Sequence, residues 1–459
     1  MIEYYDFQLY GVLAVTLSVL FFHAGNENAA LLSTLAVLSG LREISSQRQT
    51  LDRLAQMQQQ EMAAQAGRHA QPGDAGSVAY YGFHSTWDAP SSTAFLALGL
   101  RDAAPYVLRV RALALQAQLH EGESFNPELA LAGRFDFAFV LVYLAPLFLI
   151  ALLYDLVSGE RESGRLGTLQ AMPGSGRRLW LRRAGLRSVL LLACLALPAL
   201  AGALASGAQA GAIASVLLSA TAYVAFWSGL CLVVATLGGS SVANAMALMG
   251  CWAVLTLVLP TLANAALSRA VPVSQGVELM LAQRQTVHGA WDLPREQTME
   301  RFFRNHPEWR NTAPLPAGFH WKWYYAFQQL GDESVAPQFA AYREGLQARQ
   351  AWTGRLGWLL PGVGVQAALH RQAGTDLLAQ LAYQDDIAAF HARLRTFFYP
   401  YLFEDRPFGA KDFAAQPVFT ASPRHAPQTW GQVAMLWAVA ALALLAGGVA
   451  AGRVRPGRR

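Results

Sequence analysis

Ten histidines are the first side chains in this sequence that could do chemistry. Nine of them, His69, His84, His120, His288, His306, His320, His370, His391 and His425, fall in two long polar stretches. No pair stands in H-x-x-x-H or H-E-x-x-H register, the spacing that puts two ligands on one helix face, so they read as exposed or helix-capping residues. Cys194, Cys231 and Cys251 all lie inside apolar runs, which supports neither a disulfide framework nor a thiolate zinc site. No G-x-S-x-G or other nucleophile signature is present. The glycine-rich GSGRR at 174–178 lacks the Lys-Ser/Thr that holds phosphate and magnesium. A catalytic role is not expected, nor is a directly bound cofactor or metal.

What remains is a short charge-dense stretch, LYDLVSGERESGRLGTLQAMPGSGRRLWLRR, at 153–183. A helix is expected to start near Ser158, whose side chain could cap it. Glu160 and Glu162 fall in the first turn, where negative charge suits the helix dipole, and Pro173-Gly174 ends it. Leu166, Leu169 and Met172 recur every third residue, a narrow apolar edge between charged flanks. The plain reading is a membrane-surface helix anchored by arginines.

The elements that must position this stretch are apolar. The chain is 54% hydrophobic and 14% charged with mean hydropathy +0.25, against about 25% charged for a soluble domain. Runs long enough to cross a bilayer occupy 135–154, 189–208, 212–237, 242–267 and 430–452. A sixth, shorter run at 7–22 reads as a membrane helix that continues into an extramembrane one; its flank carries Glu3 and Asp6 and no basic residue, unlike a signal peptide. The expected fold is an all-α integral membrane protein: six transmembrane helices with two largely helical extracytoplasmic insertions.

The segments are 1–41, a first helix and its extension; 42–134, the first insertion; and 135–267, a four-helix core with a loop at 155–187. The second insertion follows at 268–428 and a last helix with an arginine-rich tail at 429–459. Arg161, Arg165, Arg177, Arg178, Arg182, Arg183 and Arg187 in the short loop, and Arg453, Arg455, Arg458 and Arg459 in the tail, place both in the cytoplasm by the positive-inside rule. With six spans, both termini are then cytoplasmic and both insertions outside. The net charge of +5 forms no basic, aromatic-interleaved stripe, so nucleic acid is not an expected partner. HWKWYYAF at 320–327 and FFYPYLF at 397–403 read as the core of a helical domain or an interfacial belt more readily than as a substrate surface. Pro146, Pro198 and Pro260 could kink their spans.

The charge-dense stretch resembles the cytoplasmic loop of type-2 ABC transporter permeases, where S-G-E-R-E-x-G-T-L followed by P-x-S-R forms the coupling helix. Ser158, Gly159, Glu160, Arg161, Glu162, Gly164, Leu166, Pro173 and Ser175 match, with Arg165 in place of Thr. The span order resembles the branch that includes the accessory permease of nitrous-oxide reductase maturation, as does LLPGVGVQAALHRQAGTD at 359–376, where Leu360-Pro361 stands in place of S-P. The resemblance implies a non-catalytic permease subunit in a bacterial inner membrane. It would pair with a second permease copy or a paralogue and work with a separate ABC ATPase that holds ATP and magnesium, more readily for export. On that model Glu160, Arg161, Glu162, Gly164, Leu166, Leu169, Met172 and Pro173 form the ATPase-contacting surface, the charges steering and the apolar edge seating in a groove. Membrane lipids would be the other partner. The alternative is a membrane-anchored sensor or assembly scaffold with external binding domains.

Overall fold

The computed structural model describes residues 25–68, 74–119, 135–172, 176–273, 276–422 and 429–454. In chain order these form α1 (Gly25–Arg68), α2 (Ala75–Tyr81), β1 (His84–Trp87), β2 (Val107–Val110), α3 (Leu115–Leu119), α4 (Phe137–Glu162), α5 (Leu166–Ala171) and α6 (Arg177–Ala205). They continue with α7 (Ala210–Thr236), α8 (Ser241–Ala270), α9 (Gly276–Gly289), α10 (Arg295–Asn305), α11 (Trp321–Leu356), α12 (Pro361–Ala373), α13 (Leu377–Phe403), α14 (Ala410–Ala414) and α15 (Trp430–Gly452). Five of them, α4, α6, α7, α8 and α15, are long and apolar enough to cross a membrane, and they coincide with the five expected long runs. The expected run at 7–22 lies outside the described residues, as do Pro173 and the last arginines of the tail.

In the bundle α4 and α7 are central, with 72% and 61% of their apolar windows buried, whereas α6 and α8 bury only 28% and 22% and present leucine and valine outward. Small residues let α7 and α15 approach closely. A Cβ on Gly229 would lie 2.4 Å from the Ala443 carbonyl carbon, so only glycine fits. Polar side chains serve as interhelix ties where lipid offers no hydrogen bonds: Ser188 Oγ meets Ser228 Oγ at 2.8 Å.

Two spans handle their prolines in the same way. A π-turn at Val140–Leu144 precedes Pro146, and another at Val254–Val258 precedes Pro260. Proline has no N–H for the carbonyl four residues back, which for Pro146 is that of Val142. Tyr223 Oη on α7 donates to that oxygen at 2.9 Å, and Trp252 Nε1 on α8 donates to the next carbonyl, Tyr143, at 3.1 Å. The kink is therefore compensated by neighbouring helices.

The 44-residue α1 begins inside the bundle. Ser33 Oγ donates to Leu195 O at 3.1 Å, one turn before Pro198, while Leu31, Leu35 and Leu38 face outward. The extension after the first apolar run thus starts as a helix lying along α6. Beyond Gly40 it leaves the bundle and enters a polar domain, as its helix-forming composition predicts.

That domain draws on both insertions. One hydrophobic core joins Val78, Val110, Leu113 and Leu115 of the first to Phe302, Trp323, Tyr325, Phe327, Tyr383, Phe390, Phe398 and Phe403 of the second. The two aromatic runs therefore form the core of a helical domain. A two-stranded antiparallel hairpin pairs His84 with Val110 and Trp87 with Val107. This departs from the all-α expectation; the partner strand lies about twenty residues downstream, so no local pattern announces the pairing. Lys322, one of two lysines, is buried and donates to Ala313 O at 2.6 Å and Phe403 O at 3.2 Å, closing the end of α13. His320 caps α11 by accepting from Lys322 N.

α11 then returns to the bundle. Arg349 Nε donates to Val271 O just beyond α8, and the chain turns at 357–360. Through α12 it packs Val365, Ala368 and Leu369 into the bundle core, with Gly362 beside Tyr223 Oη.

Candidate docking surface at the arginine-rich end

At the end of the bundle opposite the polar domain, the segment resembling a coupling helix is two short helices rather than one. The last turn of α4, Ser158–Glu162, is separated from α5 by Gly164 at φ +75°. That left-handed conformation is open to glycine and strained for other residues, and it breaks the continuous helix expected from propensity. Ser158 is not the cap either: its side chain is buried, and Oγ meets Ser241 Oγ at 2.8 Å. Asn244 Nδ2 reaches Ser158 Oγ at 3.4 Å and Tyr154 O at 3.2 Å, tying α8 to the same turn.

The charged residues are engaged within the chain. Glu160 accepts from Arg183 Nη1 of α6 at 2.7 Å and pairs with Arg165 Nε at 3.0 Å. Glu162 accepts from Ser241 N at 2.7 Å and Ser241 Oγ at 2.8 Å, placing a carboxylate at the N-terminus of α8, where the helix dipole favours it. Arg161 Nη1 donates to Gly239 O at 3.3 Å in the turn before α8. Gln170 Nε2 of α5 donates to Val454 O, just past the end of α15, at 3.2 Å. Arg187 reaches the Leu152 carbonyl of α4. The segment is therefore fastened by side chains to α6, α8 and α15, and covalently to α4.

The apolar edge is split. Leu166 is 4% exposed and belongs to the bundle core, Leu169 is half-buried, and Met172 is 54% exposed. Outward-facing positions are Glu162, Ser163, Gly164, Arg165, Gly167, Thr168, Ala171 and Met172, a surface of mostly small residues with one anion, one cation and one flexible thioether. Of the eight expected contact residues, Glu162, Gly164 and Met172 are on this surface, Leu169 is half-buried at its edge, Glu160 and Arg161 flank it as internal clamps, Leu166 turns inward, and Pro173 lies outside the described residues. Sequence reading missed Ser241, Asn244, Arg183 and Gln170. For Ser241 a signal existed, since G-G-S-S before an apolar run is a helix start. For Arg183 only its charge was visible.

Among the described residues no group of three His, Cys, Asp or Glu side chains could hold a metal ion. A family model described as a domain of unknown function, DUF3526, matches residues 277–422, the second insertion with α12. No curated protein and no solved structure matches the chain.

Proposed function

We propose that this chain is the membrane subunit of an ATP-driven transporter of the ABC-2 type, with the segment at 158–172 as the element on which a separate ATPase acts. The observation that carries the reading is mechanical. One exposed, two-helix segment is tied through Glu160, Arg161, Glu162 and Gln170 to three spans and is continuous with a fourth, so force applied there is delivered to the whole bundle. The sequence lacks a phosphate-cradling loop, which assigns hydrolysis to the partner. In this reading the arginines of this end face the cytoplasm, as the positive-inside rule favours, and the polar domain lies outside. In this reading the chain resides in a bacterial inner membrane, with both termini inside and a second permease copy or a paralogue beside it.

Because Glu160 and Glu162 clamp the chain internally, reversing them would disturb the bundle itself. The surface residues make the cleaner test. Thr168→Arg with Met172→Glu should remove a co-purifying ATPase from detergent-solubilised native membranes, by tenfold or more, and leave the monomer's melting unchanged. An ATPase retained at full stoichiometry in that variant would remove this segment as the docking site. No ATPase with the unaltered chain, and another protein held by the polar domain instead, would favour an anchored scaffold.

A further inference from the structure

The hairpin formed by α11 and α12 turns at 357–360 below the level at which the spans begin, and two rulers fix its depth. At its upper end Gln372 Oε1 accepts from Thr429 Oγ1 at 3.0 Å, and Thr429 meets Ser215, so Gln372 stands level with the starts of α7 and α15. Followed back from there, α12 descends antiparallel to α15: Gly364 packs on Leu436, and Gly362 stands beside Tyr223 Oη. From Gln372 to Gly362 is about 15 Å of helix, and from Ser215 to Tyr223 about 12 Å, at 1.5 Å per residue. α11 comes down on the other side. There Arg349 holds the end of α8, and Gly357 approaches so closely that a Cβ would lie 2.9 Å from Gly364 Cα. The hairpin thus enters the bundle from the side of the polar domain and leaves by the same side.

One face of the turn belongs to the core, with Leu360 and Val365 buried. The other is bare. Leu359 is 75% exposed and Trp358 54%, and Trp352 is exposed above them. Arg355, also exposed, shares a helix face with Trp352, its guanidinium over the indole ring at 4.8 Å. Among the described residues no carboxylate pairs with this arginine. The adjoining α8 carries the apolar surface on, with Val258, Leu259 and Leu262 facing outward. From the tip upward the order is leucine, indole, guanidinium. That order matches a lipid leaflet read from its acyl chains through the interfacial layer to the phosphates.

We propose that this hairpin is a lipid-binding element, seated in the membrane leaflet on the side of the polar domain, with Leu359 and Trp358 among acyl chains and Arg355 holding a phospholipid phosphate. The guanidinium fork matches phosphate geometry. The Trp352 indole beneath it fixes the guanidinium by cation–π attraction and itself suits the interfacial layer. The proposal rests on the span-length helices lying in a membrane. It uses no residue of the segment at 158–172, so it stands apart from the ATPase reading.

The test places the full chain, without nucleotide or ATPase, in nanodiscs of phosphatidylglycerol with or without bromine on its acyl chains. The fluorescence lost in Trp358→Phe, taken as a difference spectrum, isolates that indole from the other tryptophans. Brominated lipid should quench it twofold or more, and aqueous iodide should leave it unchanged. Quenching by iodide instead would put the tip in water, and quenching by neither would put a second copy of the chain over it; either result overturns the proposal. For the headgroup, native mass spectrometry should count one retained phosphatidylglycerol fewer in Arg355→Gln, while diacylglycerol, which has no phosphate, is retained equally by both chains. An unchanged phosphatidylglycerol count, or an equal loss of diacylglycerol, would remove Arg355 as the phosphate ligand.

Discussion

The arginine-rich end and the polar domain both carry networks of charged side chains, yet the networks are built in opposite ways. At the arginine-rich end exposed or half-buried polar side chains reach helix ends and turns: Glu162 onto Ser241, Arg161 onto Gly239, Gln170 onto Val454. In the domain the partners are interior. Asp332 takes Leu115 N, Gln116 N, Gln283 Nε2 and Arg395, and His391 Nε2 donates to Leu113 O. Exposed pairs exchange readily with water and contribute little to stability, whereas interior ones are costly to break. One end is fastened in a way that can be rearranged, and the other holds a fixed shape.

The largest effect separating the two should come from Asp332→Ala. It strips four donors of one acceptor and leaves the Arg395 guanidinium unpaired, a loss of about 3–5 kcal/mol for a buried pair; thermal unfolding of the domain should report it. Acid comes next. Burial lowers His84 to about 4 from 6.5, and His391 moves the same way. Between those values the unfolded chain binds more protons, so stability present above pH 6.5 is lost as pH falls toward 4. For His84 this amounts to about 3 kcal/mol at ~1.4 kcal/mol per unit. His84→Leu should flatten the pH dependence of the domain's melting; an unchanged slope would show that other groups carry it. The smallest effect should be Glu162→Gln at the other end, with no measurable shift in melting. A collapse as large as that of Asp332→Ala would erase the distinction between the two networks.

Much of this architecture was legible in the sequence. The five long apolar runs became five span-length helices because length and hydropathy alone decide that outcome. The aromatic runs were readable as a domain core because only burial accommodates so many rings together. What escaped were pairings across long separations. Nothing local tells His84 that Val110 is its strand partner, Leu115 N that Asp332 will accept from it, or Ser158 that it will meet Ser241 rather than cap its own helix. The segment at 158–172 was recognisable as charged and short, but which of its leucines faced in was set by the bundle. Leu166 and Leu169 have the same chemistry and different fates.

The long first helix has a consequence for how the two regions communicate. It is held at its base by Ser33 against α6 and midway along by Gln47, whose Oε1 accepts from the buried Arg101. Its described length is 44 residues without an interruption, roughly 66 Å at 1.5 Å per residue. A stiff rod of that length converts angle into distance: a tilt of about 5° at the base displaces the far tip by roughly 6 Å over such a helix. Small rearrangements in the membrane would thereby become ångström-scale strokes in the domain, carried by a single piece of secondary structure.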